Sequence, residues 1–238
     1  PASESEVVEI IRQAVLNKQR VKVVGSGHSF TGIVVPDEVM IDLTRLNQVC
    51  NVDRSGGLIT VQAGIVLSDL NAQLEKHQLS MPNLGDVTYQ TLAGALSTST
   101  HGTGLQRTGL AAQIRAFKMV SAAGEVLVCS PLENANIFHC GRVSLGALGV
   151  ITEVTLNVVP AFNLRAVEQP MRISDVLDNY SQLIEENDFF EFYWVPHTKW
   201  ALTKANNVSS DAIDSPGRFA TWYNKMFLEN YAFGVLCR

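Results

Sequence analysis

Apolar side chains recur at helical spacing over residues 5–18, where Val7, Val8, Ile11, Ala14 and Val15 share one face and Ser3 or Ser5 can serve as the N-cap. An amphipathic helix is expected there. It leads into a short β-type run from Val21 to Val24 that breaks at Gly25-Ser26-Gly27-His28-Ser29-Phe30. Short strands are expected over 39–43 and 49–53, and Gly56-Gly57 turns the second back onto 58–63 as a hairpin. Helical spacing returns over 67–79 through Leu67, Leu70 and Leu74. A second hairpin joins 113–121 to 124–129 around Ala122-Ala123-Gly124. Over 150–159, Val150, Thr152, Val154, Leu156 and Val158 alternate with the intervening residues as a period-two strand closed by Pro160. Farther on, 173–186 reads as helix, 189–195 as an aromatic strand, 206–217 as a polar loop and 218–233 as helix. Strands clustered in hairpins predict an α+β fold. The change of texture near 160–170 divides the chain into a first domain, 1–165, and a second, 166–238.

The segment from Met81 to Gly109 departs from this patterning. Between Leu84 and Gly104 the sole charged side chain is Asp86, so the segment reads as buried backbone lining a ligand and not as a solvated tether. Its tail, from Thr98 to Gly104, repeats the glycine, hydroxyl and histidine chemistry of residues 25–29. A turn of that type exposes several backbone N–H groups in a concave patch suited to phosphate oxygens. Two such loops suit one extended ligand with several polar groups, whereas a glycine-rich turn packed on strands explains either loop alone. A phosphate cradle needs no imidazole, so His28 is either an interior residue or the point where the loop does chemistry.

Composition narrows the classes. With 238 residues, 46% hydrophobic and 17% charged, the chain can bury one large or two modest cores. A net charge of −5 with no Lys/Arg cluster argues against nucleic acid. No apolar run reaches a membrane span, and the start at Pro1 to Glu4 has no signal-peptide character. Cys50, Cys129, Cys140 and Cys237 are widely separated without a CxxC pair; four buried, reduced thiols are expected and disulfides stay undecided. His28 and His101, with His77, His139 or His197, lack the spacings that metal motifs favour. A dinucleotide-binding βαβ unit is opposed by Phe30 in place of the third glycine and by 31–38, too short, too β-branched and, through Pro36, too rigid for a crossover helix.

Four runs, Val23 to Ser29, Leu79 to Gly85, Ser99 to Gly104 and Ser144 to Ile151, together resemble the vanillyl-alcohol-oxidase-type flavoproteins, in particular the aldonolactone oxidases and the related alditol oxidases. The likeness runs from about residue 5 to about residue 196. It implies a two-subdomain PCMH-type FAD-binding domain followed by the start of a substrate domain. On the matching positions, Val23, Val24, Gly25, Ser26, Gly27 and Ser29 would hold the pyrophosphate, and His28 would carry FAD covalently, its imidazole being a competent nucleophile toward the flavin 8-methyl carbon. Asp86, Thr91, Gly94, Thr98, Ser99, Thr100 and His101 would follow the pyrophosphate and isoalloxazine, and Ile151 would meet the adenine side.

Gly85 matches a position beside the flavin edge where, in related plant dehydrogenases, alanine restricts oxygen; glycine implies reoxidation by O2 with release of hydrogen peroxide. Alditol oxidases carry serine where this chain has Asp86, whose carboxylate would either disfavour the anionic reduced flavin or bind ribityl hydroxyls. The resemblance implies oxidation of the CH–OH group of an aldono-1,4-lactone to an ascorbate-type product. Oxidation of open-chain polyols, and a flavin-binding module without turnover, remain alternatives. The family's later Glu-x-Arg and His-Trp-x-Lys segments do not occur here, so the chain is expected to be a fragment, a natural truncation or a half that partners a separate C-terminal chain. Cellular location stays open between cytoplasm and membrane.

Overall fold

The computed structural model describes residues 1–35 and 38–211. Helix α1 (Glu4–Leu16) starts where Ser3 Oγ accepts the Glu6 amide, and it buries Val7, Ile11 and Ala14. Val15, expected on the same face, is exposed. Strands β1 (Val21–Val24) and β2 (Val39–Asp42) then pair in parallel, not as a hairpin. Among the described residues the crossover between them is the Gly25 loop with a 3-10 turn at Gly32–Val34, and no α-helix is part of it. Val7, Ile11, Ile41, Leu43 and Leu46 make the core of this smaller lobe.

The larger lobe is a five-stranded sheet in the order β3-β4-β8-β6-β7, formed by β3 (Val49–Asp53), β4 (Leu58–Gln62), β6 (Ile114–Val120), β7 (Val126–Cys129) and β8 (Val150–Asn157). All neighbours are antiparallel, with both expected hairpins in place. Its core includes Ile59, Val61, Phe117, Phe138, Val154 and Leu156. Phe117 stacks on Phe138 of α4 (Ala135–Gly141) at 5.8 Å between centroids. Val120 and Val150 reach from this sheet into the smaller core, and the buried Thr152 hydroxyl donates to Glu4 at 2.7 Å, so the lobes are joined through α1.

Several boundaries move for local reasons. Helix α2 (Leu67–Lys76) stops short of residue 79 because Gln78 adopts φ 57°. The chain continues as β5 (Leu79–Ser80), which pairs with β9 (Val159–Pro160); Pro160 thus belongs to a short strand after β8 and does not simply close it. Residues read as ligand-lining backbone contain a helix, α3 (Leu92–Ser97), with Leu92, Ala95 and Leu96 fully buried.

A third sheet begins at β10 (Asn163–Arg172) and is ordered β10-β12-β11, with β11 (Phe189–Trp194) and β12 (Trp200–Ser209). The helix expected over 173–186 is two, α5 (Ile173–Asp178) and α6 (Tyr180–Glu185), meeting at Asn179. Residues 206–209, expected as loop, extend β12; the helix expected over 218–233 lies outside the described residues. The thiols are not uniformly interior as expected: Cys129 is buried, but Cys50 and Cys140 are exposed, and Cys237 lies outside the described residues.

Candidate functional site

Two cavities bracket helix α3 and the loop after it. The first lies between the lobes. As the chain leaves β1, Ser26 Oγ accepts the Thr91 amide at 3.1 Å, which fixes the Gly25 loop to the start of α3. A Cβ on Gly25 would stand 2.7 Å from Thr91 Oγ1 and 3.2 Å from the Gly94 Cα, so only glycine allows this approach. The enclosed space is about 160 Å³, walled by the loop, Thr91, Gly94, Thr98 and Ile151, with Leu145, Gly146 and Gly149 also lining it.

Phe30 and Leu145, which line this cleft, both take φ of 51°, and Ser99, on the loop after α3, takes 59°, a conformation L side chains adopt at a cost of about 1–3 kcal/mol each. Phe30 is 91% exposed, and His28, also exposed, stands edge-on to it at 6.2 Å. His28 is therefore not an interior residue. Among the described residues, the amides of Gly27, His28 and Ser29 donate to no protein acceptor. The Gln90 Oε1, which belongs to the same wall, is buried without a partner.

The second cavity, about 650 Å³, opens between residues 79–86, residues 101–103 and the third sheet. Gly85, Asp86 and His101 line it, together with Asn83, Glu191 and Asn206. A Cβ on Gly85 would come within 3.0 Å of the His101 carbonyl oxygen and 3.4 Å of Thr100 Cγ2, so an alanine there presses on that loop. Gly102 is held still closer, for a Cβ at that position would overlap Asn83 Oδ1.

Of the expected cofactor residues, Val23 to Ser29, Thr91, Gly94, Thr98 and Ile151 share the first cleft, whereas Asp86 and His101 line the second cavity together with Gly85, so the expected set is divided between the two. Ser99 and Thr100 lie on the loop between them, following α3. Along residues 79–103 the linings alternate: 79–86 and 101–103 face the second cavity, residues 90–98 the first.

A set of charged side chains at the second cavity carries no motif in the sequence. Tyr193 Oη donates to Asp86 Oδ2 at 2.8 Å, and Lys204 Nζ bridges Asp86 Oδ1 at 3.3 Å and Glu191 Oε1 at 3.0 Å. Burial alone would push the Asp86 carboxyl up, but the Tyr193 hydrogen bond and the Lys204 charge outweigh it and hold the group below the usual aspartate range. The same bond to Asp86, with burial second, pushes Tyr193 up to about 12. For Lys204, burial opposes the charge, yet the bond to Glu191 and the two carboxylates raise it above the ordinary lysine value. Asp86 stands out in the sequence as the sole charge between Leu84 and Gly104; for its partners the signal is the alternation of β11, which puts Glu191 and Tyr193 on one face.

Comparison with known proteins gives a consistent picture. Residues 1–130 match the family described as FAD binding domain, and residues 154–238 match D-arabinono-1,4-lactone oxidase. The chain is 41% identical over 237 residues to an L-gulono-1,4-lactone dehydrogenase of Mycobacterium tuberculosis, covering 99% of this chain and 54% of that protein. It is 42% identical over 199 residues to L-gulonolactone oxidase of Mus musculus, covering 84% of this chain and 45% of that one. The chain therefore spans about half the length of the curated relatives it matches. Among solved structures, cholesterol oxidase from B. sterolicum superposes with a TM-score of 0.84 at 19% identity, over 100% of this chain and 50% of that one.

Proposed function

Since this chain belongs to the FAD binding domain family, we propose that it is the cofactor-binding portion of an aldonolactone oxidase, holding FAD along the first cleft toward the second cavity. The observation that carries this reading is the convergence of distant segments, 23–31, 90–98 and 145–151, on one cleft with His28 exposed at its wall. The lining fits the group. Main-chain amides of residues 27–29 lack protein acceptors and suit a diphosphate, while the orphaned Gln90 Oε1 suits a hydroxyl or amine of a dinucleotide.

When bound, FAD would supply a two-electron acceptor for oxidation of a CH–OH group of an aldono-1,4-lactone, with O2 as the proposed final acceptor, giving hydrogen peroxide. His28 offers an imidazole nitrogen as the attachment point to the flavin 8-methyl carbon. Thr91 and Gly94 keep the Gly25 loop close to α3, and Thr98 is anchored by donating to the Gly94 carbonyl at 3.0 Å. Gly85 leaves the neighbouring 100–101 backbone undisturbed, which keeps open the approach proposed for oxygen.

Anaerobic addition of L-gulono-1,4-lactone to the flavin-loaded protein tests the reading. Bleaching of the flavin, reversed by air with release of peroxide, is the expected result. Flavin that stays oxidised with lactones, but bleaches with open-chain polyols, contradicts the lactone assignment. Flavin that stays oxidised with both reduces the chain to a binding module.

A further inference from the structure

A nucleophilic side chain is ordinarily aimed by a second group that holds it. Among the described residues neither ring nitrogen of His28 has a polar partner, whereas the His101 ring is tied at 3.0 Å to the Gly102 carbonyl. The aromatic contact that His28 makes is with Phe30, their centroids 6.2 Å apart and their planes at 84°, the edge-to-face arrangement that aromatic rings favour. Both residues line the first cleft.

Phe30 itself serves neither core. It is 91% exposed, and its φ of 51° is a conformation that a bulky side chain adopts only under strain. Glycine takes such a conformation freely, as Gly27 does three residues earlier at φ 75°. A phenylalanine that is strained, unburied and set against an imidazole without a hydrogen bond is accounted for by what its ring does to that neighbour.

We propose that Phe30 is a positioning residue: its ring restricts rotation of the His28 imidazole and so presents one ring nitrogen to the flavin 8-methyl carbon, an inference that rests on the covalent attachment proposed above. In that attachment a C–N bond forms between the imidazole nitrogen and the methyl carbon. One C–H bond of the methyl and the N–H bond of the other imidazole nitrogen break. Two protons are released, and two electrons pass to the isoalloxazine and from it to O2, giving hydrogen peroxide. The nitrogen lone pair must lie along the forming bond, and a ring free to rotate is misaligned most of the time. Phe30 therefore acts on the rate of attachment, through His28.

The full chain prepared free of flavin and mixed with FAD in air tests this. Cofactor fluorescence follows reversible binding, and flavin absorbance of the acid-denatured protein follows the covalent adduct. Phe30→Ala removes the ring and keeps the strain, whereas Phe30→Gly removes both. Each is expected to form the adduct at least ~10-fold more slowly than wild type, with FAD affinity close to the wild-type value. Phe30→Tyr, which keeps the ring, should recover most of the rate. Phe30→Gly should melt no lower than wild type, which separates slow attachment from a damaged fold. Wild-type rates in both Phe30→Ala and Phe30→Gly, slowing only in proportion to weaker FAD binding, or Phe30→Tyr as slow as Phe30→Ala overturns the role of Phe30 and leaves attachment at His28 standing. Slowing in Phe30→Ala alone assigns the effect to strain and overturns that role as well. A wild type that binds FAD reversibly and never forms the adduct contradicts the attachment itself, and the proposal falls with it.

Discussion

The first cleft is walled by glycines, hydroxyls and main-chain amides from 23–31 and 90–98, whereas the second cavity is walled by Asn83, Asp86 and Glu191, two of them tied together by Lys204. The former suits a ligand common to a whole family, because backbone groups recognise phosphate whatever the neighbouring side chains. The latter presents individual charges, fixed by Lys204 and Tyr193. The two walls thus differ in kind, main-chain groups and hydroxyls in the first and charged side chains in the second.

The largest way to break that contrast is Gly25→Val. Its side chain would collide with Thr91 Oγ1 and the Gly94 Cα, opening the first cleft at an overpacking cost of ~1–3 kcal/mol. Flavin absorbance after desalting should fall to a small fraction of wild type, with the far-ultraviolet circular dichroism kept. Gly102→Ala is the matching lesion in the second region, where a methyl overlaps Asn83 Oδ1. It should destabilise by a similar ~1–3 kcal/mol in denaturant titration while flavin stays bound.

Asp86→Asn comes next and is read by pH. Asp86 is held below the usual carboxylate range, so the stabilisation it brings is present at neutral pH and is lost as pH falls through its lowered value. Tyr193 is raised to about 12, so its bond persists below the ordinary tyrosine value and is lost only as pH rises through about 12. In Asp86→Asn, ultraviolet titration should show one tyrosine moving down from about 12 toward the ordinary phenol range. An unchanged alkaline titration argues against the bond.

The smallest effect is expected from Gln90→Leu, which removes the orphaned acceptor of the first cleft. Without flavin the variant should be as stable as wild type or more so, by up to ~1 kcal/mol. With flavin it should bind about fivefold more weakly, by fluorescence titration of the cofactor.

The two regions were unequally legible in the sequence. Helix α1 follows from Val7, Ile11 and Ala14, and the β3/β4 hairpin from Gly56-Gly57, because period and turn chemistry are local. The loops at 25–29 and 98–104 stood out as short glycine- and hydroxyl-rich runs, whereas Thr91, Gly94 and Ile151 were expected only from the family resemblance. Strand direction was not legible: the apolar runs of β1 and β2 read the same for a parallel as for an antiparallel pair. Nor was the Asp86 network, whose partners Tyr193 and Lys204 lie 107 and 118 positions away with no spacing to connect them. Leu92 and Leu96 were identified as buried, but a Gly-rich run with a single helical turn and a half carries too little periodicity to be named a helix.

Peptide mapping after an intact mass of the denatured, flavin-loaded protein tests the central claim most directly. The account predicts a mass increased by one FAD, with the adduct on the peptide that contains His28. An unmodified His28 peptide from flavin-replete protein would contradict it.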